Sequence, residues 1–159
     1  MSGLNKMGNN KTSKSELTML HAKETLSDYI TAVTWSPDGK TLAVCSAAGE
    51  IMLGTVGTIN ELSLQPLQTA TGQSADCLSF SSDSQLLAAG GQDGKVRIWL
   101  VNSGELIASL DNKRVWVDKL AWSPNCHQLA FSMGRCVQVW NADDNTVEVT
   151  LNFESSSVL

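Results

Sequence analysis

The sequence predicts an all-β protein: an incomplete β-propeller of three four-stranded antiparallel blades, with a flexible N-terminal tail. Three observations predict this fold. One stretch of sequence recurs three times, each copy has the turn chemistry of a β-hairpin, and apolar residues occupy both faces of each predicted sheet. A sheet that is apolar on both faces cannot bury itself and has to stack on its copies, and a radial stack of such sheets is a propeller.

The repeat emerges when the chain is aligned with itself. Residues 31–45, 76–90 and 118–132 align, and in each segment an aromatic residue precedes a leucine by seven positions. These pairs are Trp35 and Leu42, Phe80 and Leu87, and Trp122 and Leu129. Both sets of landmarks step by 45 and then by 42 residues, so they share one period.

Each aligned segment predicts a β-hairpin. An alternating apolar stretch leads into a serine and a turn, and residues 36–39 (Ser-Pro-Asp-Gly) are the clearest example. Proline presets φ, aspartate hydrogen-bonds its own backbone, and glycine adopts positive φ without steric cost. The patterns indicate a third strand at residues 96–99 and 137–140 and a fourth strand at residues 106–110 and 146–151. A repeat therefore supplies four strands.

Residues 87–99, with the sequence LAAGGQDGKVRIW, are similar to the WD-repeat family, in which a hairpin aspartate precedes a strand that ends in tryptophan. In this chain those two marks are Asp93 and Trp99. The resemblance extends over residues 28–159. It implies a β-propeller that acts as a scaffold or adaptor for other proteins, without catalysis and without a cofactor.

Two of the repeats depart from the family pattern. The first has Ala48 and Gly54 at the positions of the two marks, and the third keeps Trp140 but lacks the aspartate turn. The family's Gly-His dipeptide is missing, and Ala89 stands where a strand serine would be. We therefore expect the blades to rely on apolar packing, with blade 1 the most degenerate.

The period and the resemblance together give the domain organisation. We assign residues 1–16 to a flexible polar tail, 17–27 to a candidate closing strand and linker, 28–72 to blade 1, 73–114 to blade 2, 115–154 to blade 3, and 155–159 to the start of an unfinished fourth blade. Propellers close with about four to eight blades. We therefore expect the N-terminal part of a longer propeller, a truncated remnant, or two copies that pair into a six-bladed ring.

Each of these alternatives affects function. If the chain is part of a longer propeller, a ligand-binding or catalytic site could lie in the missing C-terminal blades. In a monomer, the outer faces of blades 1 and 3 would be bare, and large exposed apolar patches mark interfaces or aggregation sites. We therefore expect the isolated chain to self-associate or to be only marginally stable.

Composition excludes several partners. Eleven Lys and Arg against sixteen Asp and Glu give a net charge of −5, which disfavours binding to nucleic acid. No apolar run is long enough to span a membrane. The lysines near the N-terminus lie among polar residues rather than beside an apolar signal core, so we expect a cytoplasmic protein.

Catalytic and metal-binding patterns are not found. Neither histidine has a nucleophile at a recognisable spacing, and residues 90–94 (GGQDG) read as hairpin chemistry rather than a phosphate-binding loop. The four cysteines lack metal-finger spacing, so we expect small, reduced, buried side chains. Cys126, His127 and Cys136 lie close in sequence, but a fourth ligand for zinc is missing.

The resemblance also implies which residues bind partners. In the family, partners bind one end of the propeller, beside the first apolar residue of each inner strand. The equivalent candidates in this chain are Tyr29, Thr31, Ser74, Asp76, Gln92, Trp116 and Asp118. Trp116 is the strongest candidate, because in a strand it would point away from the sheet if Val117 points into it. Packing of Trp116 or Tyr29 under a loop, and simple solvation of the aspartates, are the alternatives.

Overall fold

The computed structural model describes residues 25–56 and 62–153. They form three antiparallel four-stranded sheets, called blades 1, 2 and 3 in chain order, and this confirms the predicted fold class. Blade 1 contains β1 (Ile30–Trp35), β2 (Thr41–Ser46), β3 (Ile51–Val56) and β4 (Leu62–Gln68). Blade 2 contains β5 (Ala75–Phe80), β6 (Leu86–Gly91), β7 (Lys95–Leu100) and β8 (Leu106–Asp111). Blade 3 contains β9 (Leu120–Trp122), β10 (Gln128–Met133), β11 (Cys136–Asn141) and β12 (Thr146–Asn152).

The aromatic landmarks occupy equivalent places in the three blades. Each lies at the end of the first strand, directly opposite the leucine of the second strand. The cross-strand pairs are Trp35 with Leu42, Phe80 with Leu87, and Trp122 with Leu129. The repeat found in the sequence is therefore also the repeat of the structure.

Neighbouring blades pack through opposite faces. We call the face that carries the aromatic landmark the front face, and the other the back face. The front of blade 2 packs on the back of blade 1 in a core that includes Phe80, Leu87, Trp99, Ala43 and Leu53. The front of blade 3 packs on the back of blade 2 in a core that includes Leu129, Phe131, Trp140, Ala88 and Ile98. Each junction therefore removes apolar side chains of two blades from water.

The turns between first and second strands use one hydrogen-bond pattern in blades 1 and 2. Ser36 Oγ donates to Asp38 Oδ1 at 2.6 Å and accepts from the backbone N–H of Thr41 at 2.9 Å. Ser81 Oγ makes the same two bonds at the same distances, to Asp83 and from Leu86. The serine and the aspartate of the turn thus fix the register of each hairpin.

The inner strand of blade 3 is shorter than the sequence predicts. The alternation of residues 114–118 predicts a strand there, but β9 begins only at Leu120. Arg114 has a positive φ of 62°, which an extended strand does not allow. The backbone N–H groups of Asp118 and Lys119 bond to the Ser132 hydroxyl instead of a strand carbonyl, at 3.1 and 3.2 Å. The Ser132 side chain therefore accepts these two N–H groups, while the backbone N–H of Ser132 donates to the Lys119 carbonyl at 3.0 Å.

The cysteines are not uniformly buried, so that prediction was wrong in part. Cys45 is buried and Cys77 half-buried, and their thiols donate to the Ala75 and Val117 carbonyls of the following blade, each at 3.2 Å. Burial raises the pKa of Cys77 to about 12, which keeps its thiol protonated as a donor. Cys126, in contrast, lies in an exposed turn.

Two faces are left uncovered within the described chain. Trp35, on the front of blade 1, is 54% exposed, whereas Phe80 at the equivalent place in blade 2 is 7% exposed. On blade 3, every residue of β12 is exposed. Within the described residues, apolar side chains are therefore exposed on both outer faces.

Three predicted segments lie wholly or mostly outside the described residues: the flexible tail at 1–16, the candidate closing strand and linker at 17–27, of which residues 25–27 are described, and the start of a fourth blade at 155–159. Among the residues that are described, no helix has the length and hydropathy that a membrane span requires.

Stability should depend on the junctions between blades. Leu129 is fully buried between blades 2 and 3, so Leu129→Ala should lower the free energy of unfolding by about 2–5 kcal/mol. Leu106→Ala, at a leucine that is 48% exposed, is the matched control and should cost less than about 1 kcal/mol. Urea denaturation measures both. Equal losses for the two variants would contradict the assignment of Leu129 to the junction.

Candidate functional site

One end of the three blades carries the predicted binding residues, and we call it the loop end. The backbone N–H of Ala47, after β2, donates to the Tyr29 carbonyl at 2.8 Å. In blade 2, the N–H of Gln92 donates to the Ser74 carbonyl at 2.8 Å. Each bond ties the turn after a second strand to the entrance of the first strand. Candidates that are far apart in sequence therefore meet at the same end.

Side-chain and backbone bonds join the loop ends of successive blades. The Thr31 hydroxyl of blade 1 donates to the Ala75 carbonyl at the start of blade 2. Between blades 2 and 3, the N–H of Val117 donates to the Gly91 carbonyl at 3.0 Å. The three loop segments are thus held in fixed positions next to one another, which preorganises a surface for binding.

The loop end presents two large exposed aromatic side chains. Tyr29 is 84% exposed and Trp116 is 63% exposed, while the adjacent Val117 is fully buried between blades 2 and 3. Trp116 therefore points away from the core, as expected, although its segment is not a strand. Neither aromatic residue packs beneath a neighbouring loop, and Gln92 between them in sequence is also exposed.

The remaining candidates form hydrogen bonds within the fold. The Ser74 hydroxyl donates to the Asp76 carboxylate. In blade 3, Ser132 Oγ donates to Asp118 Oδ1 at 2.6 Å, and this bond lowers the pKa of Asp118. Thr31 bonds the next blade as described. These residues therefore shape the loop end, and Thr31 and Asp118 are exposed there together with Tyr29, Gln92 and Trp116.

Asn112 positions the Trp116 segment and was not among the predicted residues. Its side chain is buried, and its Nδ2 donates to the carbonyls of Val115 at 3.0 Å and Ser132 at 3.2 Å. Its backbone N–H donates to the Gly94 carbonyl at 2.8 Å. A single polar residue between two strands carries no periodic signal, so the sequence alone could not identify this role.

The glycine cluster of residues 90–94 leaves room for the segment that carries Trp116. A Cβ atom on Gly90 would lie 2.5 Å from a Val117 methyl group, and one on Gly94 would lie 2.5 Å from the Arg114 Cα atom. The cluster turns between β6 and β7, where Asp93 forms an ion pair with Arg97 at 2.7 Å. This geometry is that of a β-hairpin turn rather than a phosphate-binding loop.

The opposite end of the blades, which we call the turn end, carries a charged bridge. His127 Nε2 lies 2.8 Å from Asp83 Oδ2 of blade 2, and His127 Nδ1 lies 2.8 Å from Asp143 Oδ1 of blade 3. Because an ionised carboxylate only accepts, the two bonds form together only when the ring is protonated and both nitrogens donate. The bonds to Asp143 and Asp83 raise the pKa of His127.

The described residues contain no group of three His, Cys, Asp or Glu side chains that could hold a metal ion. The Cys126 thiol donates to Ser123 Oγ and Gln128 Oε1 at 3.1 and 3.2 Å.

The loop end offers aromatic surface and hydrogen-bonding groups on a rigid support, which suits recognition of a protein surface.

A methyl group at Gly94 should displace the Trp116 segment. Gly94 and Gly39 have similar φ angles, +70° and +72°, but a Cβ on Gly39 would meet nothing within 4 Å. Gly39→Ala should therefore lower the free energy of unfolding by about 1–2 kcal/mol, because alanine has to adopt the left-handed conformation there. Gly94→Ala should lower it by about 1–3 kcal/mol more, because the new methyl group clashes with backbone atoms of Arg114. Urea denaturation compares the two, and equal losses would show that the clash is relieved without cost.

The His127 bridge should stabilise the fold in a pH-dependent way. Its folded-state pKa is raised, so its contribution is fully present below an unfolded value of about 6.5 and is lost as pH rises through the folded value. Because the side chain is 38% exposed, we expect an effect below about 1 kcal/mol. The unfolding free energy of the native chain should exceed that of His127→Gln by more at pH 6 than at pH 8.5. A difference independent of pH would contradict the charged bridge.

Comparisons with known proteins agree with this architecture. The family model described as "WD domain, G-beta repeat" matches residues 16–53 and 64–99. The chain is 24% identical over 117 residues to small ribosomal subunit protein RACK1 of Caenorhabditis elegans, across 74% of this chain and 35% of that protein. It is 34% identical over 73 residues to Protein FIZZY-RELATED 2 of Arabidopsis thaliana, across 43% of this chain and 15% of that protein.

Solved structures are similar over a larger part of the chain. The structure of U3-55K superposes with a TM-score of 0.71 and 26% sequence identity, over 81% of this chain and 41% of the other. The crystal structure of RRP9 WD40 repeats gives the same TM-score and identity, over 81% of this chain and 40% of the other. The chain spans 35% of the length of RACK1 and 15% of the length of FIZZY-RELATED 2, the two curated relatives named above. The matched repeats and the three stacked four-stranded sheets show that this chain is a WD-repeat protein.

Proposed function

We propose that this chain is a non-catalytic scaffold or adaptor that binds another protein at its loop end. The observation that carries the proposal is the pair of exposed aromatic side chains, Trp116 and Tyr29, on segments that the blades hold in place. Tyrosine and tryptophan are enriched at the centres of protein interfaces, because they combine a large apolar surface with a polar group.

The structure supports a preformed binding surface. Val117 is fully buried directly after Trp116, and Gly91 and Asn112 fix the backbone on either side. Little conformational entropy is therefore lost when a partner covers Trp116. The exposed Gln92 and the carboxylates of Asp76 and Asp118 add polar groups to the loop end, and protein interfaces typically combine an apolar centre with a polar rim.

The family relationship supports the same role. WD-repeat proteins are in general scaffolds for protein interaction, and the name of the relative RACK1 places that protein in a ribosomal subunit, a larger assembly. The net charge of −5 favours a protein partner over a nucleic acid. We also propose a cytoplasmic location, which is supported by the free thiols of all four cysteines.

Truncation of Trp116 should weaken partner binding without unfolding the chain. Loss of an interface tryptophan typically costs about 2 kcal/mol or more, which is about 30-fold in Kd. Affinity capture from cell extract, quantified by mass spectrometry, should show partners that are retained by the native chain and depleted about tenfold or more with Trp116→Ala. Urea denaturation should place this variant within about 0.5 kcal/mol of the native chain, because the side chain is exposed.

The matched control is Ile107→Ala, at an apolar residue that is 41% exposed on the outer strand of blade 2, away from the loop end. It should retain the same partners as the native chain. Tyr29→Ala should deplete the same set as Trp116→Ala. Equal capture by the Trp116 variant and the control would remove the loop end as the binding site.

A further inference from the structure

A positively charged turn lies next to Trp116 at the loop end, over the junction between blades 2 and 3. The backbone N–H of Val115 donates to the Asn112 carbonyl at 2.9 Å, which closes a β-turn. The two central residues of this turn are Lys113 and Arg114, and both are exposed. The turn connects β8 to blade 3, so it belongs to the interior of the described chain.

Lys95 adds a third cation to this surface. It is the first residue of β7, and it is exposed. The residue before it, Gly94, accepts a hydrogen bond from the backbone N–H of Asn112 at 2.8 Å, so the β6–β7 turn and the turn after β8 are in contact. We call the surface that these two turns form the cationic surface, and its members are Lys95, Lys113, Arg114 and Trp116.

The cations of this surface are not paired with carboxylates. In the part of the chain that the structure describes, the ion pairs are those of Arg97 and His127. The carboxylates near the cationic surface are engaged in the fold: Asp93 pairs with Arg97 at 2.7 Å, and Asp111 accepts the backbone N–H of Lys113 at 2.8 Å. The surface therefore presents unpaired positive charge to the solvent, although the net charge of the chain is −5.

The geometry of the turn does not explain why it contains Lys113 and Arg114. Their φ angles are 52° and 62°, in the left-handed region that side chains adopt only at a cost. Turns with a positive φ at both central positions favour Asn and Gly there. Strained backbone of this kind is concentrated at functional sites. The two basic side chains thus occupy positions where other residues would be more stable, which points to a role outside the fold.

The loop end of blade 1 has the opposite charge. Asp28 precedes β1, and Glu50 lies in the β2–β3 turn, where its carboxylate accepts the backbone N–H of Ser27 at 2.8 Å. Lys40 of blade 1 lies at the turn end. Positive charge is therefore confined to the side of the loop end that blades 2 and 3 form. A short acidic segment fits this distribution, whereas a long polyanion such as a nucleic acid would also meet the acidic side.

We propose that the cationic surface binds an acidic segment of a partner protein. Its Asp or Glu side chains bind Lys95, Lys113 and Arg114, and an apolar side chain between them packs on Trp116. This inference rests on the proposed function, because it names the chemistry of the partner at the same loop end. Carboxylates form charge-assisted hydrogen bonds with ammonium and guanidinium groups. The exposed indole supplies the apolar contact that gives the complex most of its affinity, and the charges set its orientation.

Selection from a peptide library on the immobilised native chain tests the proposal. Each peptide has a central Leu, Phe or Trp between flanks that are randomised over Asp, Glu, Asn, Gln, Lys and Arg. We expect Asp and Glu to be enriched in the flanks of the retained peptides. A retained peptide labelled with fluorescein should bind with an affinity that falls as the ionic strength rises. Selection of neutral or basic flanks, or of no peptide at all, would overturn the proposal.

The double variant Lys113→Asn, Arg114→Gly separates the charge from the folding of the turn. It has the residues that such a turn favours, so its urea midpoint should equal or exceed that of the native chain. Its affinity for the selected acidic peptide should nevertheless fall about 2- to 30-fold, because two cations are lost. Undiminished binding by this variant would contradict the assignment of the acidic flanks to the turn.

Two single variants complete this measurement. Lys95→Gln leaves the turn unchanged and should weaken binding of the same peptide by about 1.5- to 5-fold. Lys40→Gln removes an exposed lysine at the turn end and is the matched control. It should bind the peptide as the native chain does. An equal loss for Lys40→Gln and Lys95→Gln would show that only the net charge matters, and the cationic surface would be ruled out.

Competition and capture distinguish this inference from the proposed function. Poly(U) RNA should displace the labelled peptide far less well than the unlabelled peptide does, and equal displacement would replace the acidic protein segment with any polyanion. If cellular partners depend on Trp116 but the selected peptides have neutral flanks, the loop end remains the binding site and only the acidic partner is overturned. If neither partners nor peptides depend on Trp116, the proposed function fails as well.

Discussion

The structure depends on one repeated contact, the packing of an apolar front face on an apolar back face. A single blade cannot bury either of its faces, so the hydrophobic contribution to stability arises between blades rather than within them. The completely buried residues Leu87, Ile98 and Leu129 all lie at these junctions. Polar groups then fix the alignment: the Trp122 indole N–H donates to the Ser79 carbonyl at 3.0 Å, and the thiols of Cys45 and Cys77 donate to carbonyls of the next blade. Apolar contact supplies the free energy, and these directional bonds select one register.

The same contact explains why binding residues from separate repeats form one surface. Each blade is held against the next, so the loops at its end cannot move independently. Val117 lies in the junction between blades 2 and 3 and is fully buried, while the adjacent Trp116 is exposed. At the other end, His127 joins the turns of these two blades through Asp83 and Asp143. The two ends therefore differ in character, with aromatic side chains at one and a charged bridge at the other.

Much of this arrangement could be predicted, and the exceptions share a cause. The hairpins, and the third and fourth strands of blades 2 and 3, followed from alternation and turn residues, and the equivalence of Trp35, Phe80 and Trp122 followed from the period. The prediction failed at residues 114–118, where alternation is present but the Ser132 hydroxyl takes the backbone N–H groups. It also missed Asn112, whose partners are carbonyls in two different segments. Periodicity reports which face of a strand a residue occupies and carries no information on which group completes a particular hydrogen bond.

The sequence by itself determined that this chain contains three copies of a two-faced β-sheet unit, because alternation and turn chemistry are local properties of the chain. Only the tertiary structure decided which side chains of the loop end are accessible. Tyr29 and Trp116 are exposed. Thr31 and Asp118 are also exposed although they form hydrogen bonds within the fold, whereas Ser74 is half-buried. It also decided that Trp35 is exposed while Phe80 is buried. Burial depends on which surface lies opposite, and residues of similar chemistry in equivalent repeats differ only in that respect.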